Sequence, residues 1–168
     1  MVELAYQVTF DAAHRLRYHH GKCQHLHGHT WKVEVKIEGE ADPVTGMLLD
    51  FADLRDVIDV SILDLFDHAL ILNSKDAELY RAIAQTLNSP DRIVTIEGEP
   101  TCENLSRIIW ERIVEYLKDE GYTDDEPGSV RLKCVTVWES SHSYATYKGE
   151  KNEEVSYTKP ARKRARRS

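Results

Sequence analysis

Eight histidines stand in this sequence of 168 residues, and six of them, His14, His19, His20, His25, His27 and His29, fall within residues 14–29. Imidazoles gathered in this way suit a transition metal, because zinc takes neutral ring nitrogens and needs several of them converging on one point. A lone histidine carries no such implication and is more often structural. Strand parity singles out three of the six. His14 continues the alternation Val2, Leu4, Tyr6, Val8, Phe10, and His27 and His29 open the alternation Trp31, Val33, Val35, Ile37. Side chains two residues apart in a strand share a face. If both strands stay extended to their loop ends and pair antiparallel, the three imidazoles meet on the core side of one ladder. Three histidines with an open fourth position is the pattern of a catalytic zinc rather than a structural one. A bulge near Ala12 or Gly28 would turn part of the set to the opposite face, so the expectation depends on an unbroken register. His19, His20 and His25 share no such phase and are expected as exposed loop residues, one of which could touch phosphate.

The elements that must carry these residues are readable from periodicity. Val2 to Phe10 and Trp31 to Glu38 alternate apolar and polar as half-buried strands do, with a long loop between them. Asp42, Pro43 and Gly46 mark a turn. Asp50 is placed to cap a helix with Leu54, Val57, Ile58, Ile62 and Leu65 at helical spacing. Within residues 73–99 the pattern allows a short helix over 76–87 and a short strand over 92–96. Pro100 and Thr101 begin a second long helix with Leu105, Ile108, Ile109, Ile113 and Leu117 on one face, ended by Gly121 and the acidic run 124–126. Residues 130–139 and 143–147 read as two further strands. The order strand-strand-helix-helix-strand-strand, with a small insert, predicts an α+β fold in which helices cover one face of an antiparallel sheet.

Length fits one domain, expected over 1–150, with a basic tail over 151–168 expected to be disordered. Residues 159–168 hold six basic residues and no acidic ones, leaving 16 Lys and Arg against 29 Asp and Glu in the remainder. So acidic a body is a poor general nucleic-acid binder. The tail could bind RNA or an anionic surface, but a solvated appendage is the simpler reading. No apolar run approaches the length of a membrane span, and no signal peptide is visible at the N-terminus, so the cytoplasm is the expected location. Three cysteines without a secretion signal argue against a disulfide framework. Cys102 and Cys134 lie in apolar-patterned segments and read as buried small hydrophobes, whereas Cys23 lies in the polar histidine-rich loop.

The arrangement His14-x8-Cys23-x3-His27-Gly28-His29, preceded by Phe10-Asp11-Ala12-Ala13, resembles the 6-pyruvoyltetrahydropterin synthase and 6-carboxytetrahydropterin synthase family. Four further stretches follow in the family's order over about residues 4–150. These are Gly46 to Phe51, Asp67-His68 with Leu72-Asn73, Pro100 to Asn104, and Trp138-Glu139-Ser140. Three residues between Cys23 and His27 is similar to the bacterial and archaeal carboxytetrahydropterin type. Cys23 itself argues against a third type, which carries glutamate nearby. Cys102 stands where a small residue such as alanine is common, and Ser140-Ser141-His142 where threonine usually follows the glutamate.

The resemblance implies the tunnelling fold, with a four-stranded antiparallel sheet and two helices on one face, assembled as a hexamer of two trimers with active sites between subunits. It implies Zn2+ on His14, His27 and His29, and dihydroneopterin triphosphate as substrate. Zinc would act as a Lewis acid on the substrate's side-chain oxygens. Cys23 would be the general base, with zinc and His68 favouring its thiolate. Asp67 and His68 would relay protons, acting with the cysteine across a subunit boundary. Glu139 would accept hydrogen bonds from the pterin ring, and Thr101 and Glu103 would help to seat it. The products would be 6-carboxytetrahydropterin, acetaldehyde and triphosphate, on the way to queuosine or archaeosine; the alternative is a pyruvoyl product. Each role has a plainer rival. Cys23 could be a fourth, structural zinc ligand, Asp67-His68 a helix-end pair, and Glu139 an exposed strand residue. The whole chain could also be a non-catalytic metal- or pterin-binding protein.

Overall fold

The computed structural model describes residues 1–86, 90–119 and 130–149, together with the backbone of 156–157. Among these residues, seven strands run in chain order as β1 (Val2–His14), β2 (His27–Gly39), β3 (Ala69–Asn73), β4 (Ile93–Ile96), β5 (Val130–Trp138), β6 (Tyr144–Tyr147) and β7 (Ser156–Tyr157). The helices are α1 (Phe51–Ile58), α2 (Asp64–Phe66), α3 (Ala77–Ala84) and α4 (Cys102–Asp119). A π-helical stretch, Asp59–Leu63, joins α1 to α2.

β1 and β2 form one antiparallel ladder of 13 pairs, from Val2 opposite Gly39 to His14 opposite His27, with no slip. The alternation expected from sequence is visible in burial. Phe10, Ala12 and His14 are buried while Thr9 and Asp11 are exposed. β2 continues antiparallel to β5, and β5 to β6. The β2–β5 ladder carries one bulge: Lys36 pairs with Cys134 and Ile37 with Leu132. The extra residue, Lys133, lets Leu132 and Val135 both enter the core although they are an odd number apart. Its amine meets the Glu3 and Glu38 carboxylates at 2.7 and 2.9 Å.

Asp50 caps α1, accepting from the Ala52 N–H at 2.9 Å. Thr101 does the same for α4, its hydroxyl facing the Asn104 N–H at 3.4 Å. Both helices turn their apolar stripes to one face of the sheet. Leu54, Val57 and Ile58 from α1, Ile62 and Phe66 from the π stretch and α2 that continue it, and Leu105, Ile109, Trp110 and Ile113 from α4 share a core with Phe10, Trp31, Val33, Val35 and Val137. Each such side chain contributes roughly 1.5–3 kcal/mol by leaving water. Arg112 donates to the Ser61 carbonyl at 2.9 Å, serving a main-chain group in the π stretch.

The sheet is larger than the four antiparallel strands expected. Its order is β4-β3-β1-β2-β5-β6, and β7 pairs β5. β3 runs parallel to β1, with Ala12 opposite Ala69 and His14 opposite Ile71, and β4 runs parallel to β3. The sheet is therefore mixed. Ala69–Asn73 reads ALILN, mostly apolar and without alternation, because a parallel strand next to the centre is covered on both faces. Periodicity cannot mark such a segment. The short helix and strand expected over 76–87 and 92–96 are present as α3 and β4. The expected end of α4 at Gly121 and 124–126, and the basic residues 159–168, lie outside the described residues. Among the described residues, no helix is long and apolar enough to cross a membrane.

Candidate active site

The unbroken β1–β2 register places His14 opposite His27, with His29 one pleat further along the same face. The Nε2 atoms of His14 and His27 are 3.2 Å apart. His14 is fully buried. Trp31 forms the floor, its ring edge-on to His14 at 4.9 Å and to His29 at 5.4 Å, with its indole N–H on the Ala12 carbonyl at 3.3 Å.

Hydrogen bonds to the outer nitrogens fix the tautomers. The His14 Nδ1 is 2.8 Å from the Pro100 carbonyl and the His27 Nδ1 is 2.7 Å from the His25 carbonyl. A carbonyl only accepts, so both Nδ1 atoms carry the proton and both Nε2 atoms turn a lone pair inward. Two lone pairs so close repel unless a cation lies between them. The His29 Nε2 is buried without a hydrogen-bond partner. Burial lowers the His14 pKa, and the Pro100 carbonyl only partly offsets this while His27 adds to the fall. Burial also lowers that of His29, against the pull of the Glu139 carboxylate. These rings are thus held neutral, the form that ligates metal. One nitrogen from each of the three, with a carboxylate oxygen of Glu139, lie within 4.8 Å of one another. The donors suit a divalent transition metal.

Glu139 follows β5 and reaches the same face, as its parity with Val135 and Val137 predicts. Its main-chain N–H bonds the Ser143 carbonyl at 3.1 Å, closing the turn into β6. Its carboxylate does not simply await a ligand. Oε1 lies 3.3 Å from the His14 Nε2 and 3.1 Å from the His29 Nε2. Next to it stands the start of α4. Burial, with the Glu139 charge adding to it, pushes the Cys102 thiol up to about 11, so Cys102 is a neutral packing residue. Thr101 is half-buried at the helix cap, and Glu103 is exposed in the first turn.

Asp67 and His68 follow α2 and lead into β3, beside the end of β1. His68 has φ of 57°, a left-handed conformation that is costly for a side chain larger than glycine. Its N–H bonds the Asp11 carbonyl at 2.7 Å, and the Asp11 N–H bonds the Asp67 carboxylate at 3.1 Å. The other carboxylate oxygen is 3.0 Å from the His68 Nδ1. Arg92 donates to the Asp67 carbonyl from the far side. Burial works to raise the Asp67 pKa, but the Asp11 N–H and the His68 ring outweigh it and hold it below the ordinary value. The His68 side chain is 78% exposed, so the relay's imidazole faces outward. A surface depression of about 480 Å³ lies beside it, lined by Asp11, Ala13, Gly28 and Thr30, whose strand parity is opposite to that of the three imidazoles.

Cys23 is half-buried in a 3-10 turn, Lys22–Gln24, whose loop is closed by the Leu16 N–H on the Cys23 carbonyl at 2.8 Å. The converging group contains Glu139, not Cys23. His19, His20 and His25 are exposed. Sequence reading gave no role to Asp11 and Arg92, which hold the Asp67-His68 turn, and missed the Arg15–Asp76 ion pair beside His14. In that pair the Arg15 Nε and Nη2 each meet a carboxylate oxygen at 2.6 Å. Asn104, read only as part of the Pro100–Asn104 stretch, donates to the Glu97 and Glu99 carbonyls at 2.6 and 3.1 Å and shapes the approach to α4. Arg15 beside His14 was the one available signal; the others meet only through the fold.

A family profile described as 6-pyruvoyl tetrahydropterin synthase matches residues 3–150. The chain is 32% identical over 153 residues to a Haemophilus influenzae protein named 6-carboxy-5,6,7,8-tetrahydropterin synthase, covering 88% of this chain and 99% of that one. It is also 32% identical over 138 residues to a Pyrococcus furiosus protein named dihydroneopterin monophosphate aldolase, covering 82% of this chain and 90% of that one. The solved structure of Caenorhabditis elegans 6-pyruvoyl tetrahydropterin synthase superposes with a TM-score of 0.61 at 27% identity, covering 89% of this chain and 96% of that one.

Proposed function

The chain belongs to the 6-pyruvoyl tetrahydropterin synthase family, and from that premise we propose that it is a zinc-dependent lyase in 7-deazapurine synthesis. It converts 7,8-dihydroneopterin triphosphate, with uptake of water, to 6-carboxy-5,6,7,8-tetrahydropterin, acetaldehyde and triphosphate. The observation that carries this reading is the convergence of ring nitrogens from His14, His27 and His29, two of them with lone pairs turned inward.

His14, His27 and His29 hold the metal, which when bound supplies Lewis acidity to the oxygens of the substrate side chain. Cys23 removes and returns protons on that side chain. Asp67 orients the His68 ring, which exchanges a proton with substrate. Glu139 reads the amino and ring N–H groups of the pterin, and Thr101 and Glu103 border it at the start of α4. An outward His68 and a half-exposed Cys23 suit sites completed between subunits, so the reading includes assembly as two trimers, in the cytoplasm.

Incubation of zinc-loaded protein with dihydroneopterin triphosphate, followed by mass spectrometry, tests the reading. Carboxytetrahydropterin and acetaldehyde are expected; intact substrate defeats it, and a pyruvoyl product moves the chain to that activity. The name of the Pyrococcus furiosus relative supports a second reading, aldol cleavage of dihydroneopterin monophosphate. The same assay with the monophosphate decides between them.

A further inference from the structure

Four ligand atoms at about 2.0–2.1 Å from a tetrahedral zinc stand roughly 3.3–3.4 Å from one another. The separations here are 3.2 Å for His14 to His27, 3.3 Å for His14 to Glu139 and 3.1 Å for His29 to Glu139. Three of the six separations thus lie close to tetrahedral edges, two of them meeting at Glu139, and all four ligand atoms lie within 4.8 Å of one another. The Glu139 main chain is fixed by the turn into β6, which leaves the side chain free to reorient. Against His29 it is too poorly aligned for a hydrogen bond, as the unpartnered Nε2 shows. The contact therefore makes little sense as a hydrogen bond and good sense as two donors sharing one cation.

We infer that Glu139 is the fourth metal ligand of the resting protein and that substrate must displace it, so that one carboxylate alternately closes the metal site and reads the pterin. This rests on the metal-centre reading above. At rest the centre is closed and coordinatively saturated, which excludes small oxygen ligands and stray anions. The pterin's N–H groups offer the carboxylate better partners, and as it swings to them the fourth position opens to the substrate oxygens. The same step that recognises the ring would thereby expose the Lewis acid.

Cobalt(II) and azide test this without any turnover. Apo-protein, Glu139→Gln and Glu139→Ala are loaded with cobalt, their affinities measured by chelator competition and their visible spectra titrated with azide. The wild type is expected to bind cobalt at least about tenfold more tightly than Glu139→Ala. Its spectrum should resist azide, whereas both variants should respond at concentrations at least tenfold lower. If wild type and variants share one affinity and one azide response, Glu139 is not a ligand and the inference falls while the three-histidine centre stands. If the wild type takes up no cobalt, the metal centre falls and takes the inference with it. A variant that merely loosened the fold would lose affinity without gaining azide sensitivity, and that result also overturns the inference.

Discussion

The Nε2 atoms of His14 and His27 face each other at 3.2 Å while the far nitrogen of each ring is hydrogen-bonded to a main-chain carbonyl. Neither ring can relieve the contact by switching tautomer without losing that bond. A shared cation resolves it, so removing either ring should empty the site. His27→Ala is expected to lower zinc affinity by at least about tenfold. Elemental analysis after dialysis against a competing chelator measures this, and an unchanged zinc content would be the contrary result.

Cys23→Ala should separate chemistry from metal binding. Turnover is expected to fall by about 10²–10⁴, the usual contribution of a positioned acid or base, with zinc content intact. Loss of zinc in this variant would instead make the thiol a ligand.

His68 is held in a backbone region that suits glycine. His68→Gly should therefore leave the urea midpoint unchanged or higher, while turnover collapses. A drop in stability of the size seen for core substitutions would mean that the ring, not the backbone strain, dominates at this site.

The metal-free protein should lose stability as the pH falls. His14 and His29 are held below the ordinary histidine value by burial. Above about pH 6.5 both are neutral whether the chain is folded or unfolded. Below it the unfolded chain takes up protons that the folded chain refuses, so stability declines until the pH passes the folded-state values. Urea midpoints measured from pH 7.5 to 5.5 should stay level and then fall; a flat or rising profile would contradict the burial of these rings.

Arg15 and Asp76 pin the end of β1 to the start of α3, with Asp76 only 4% exposed. Arg15→Met leaves that carboxylate without its guanidinium. The expected cost is about 2 kcal/mol, less than for a fully buried pair because Arg15 is partly in water. Urea unfolding measures it, and Asp76→Asn in the same chain should recover part of the loss.

The three-histidine geometry was legible because parity survives wherever a ladder is unbroken, and β1–β2 is unbroken to its last pair. The helices were legible from their stripes and from Asp50 and Thr101 at their starts. β3 was not, because Ala69–Asn73 is covered on both faces and shows no alternation. The closeness of Glu139 to the imidazoles was half legible: parity gives its face, but the turn with Ser143 decides how far the carboxylate reaches. The contacts of Asp11 and Arg92 follow from no spacing, since their hydrogen bonds join segments far apart in the chain.

The long ladder also limits how this protein can change length. Residues may be gained or dropped between His14 and His27 on the open side of the loop without disturbing the ring positions, because only the strand ends must meet. A single insertion or deletion within either strand would rotate a whole row of side chains by half a turn, sending imidazoles to solvent and lysines inward. Length variation should therefore leave the three rings in place when it falls in that loop, whatever it does to Cys23, and displace them when it falls a few positions to either side.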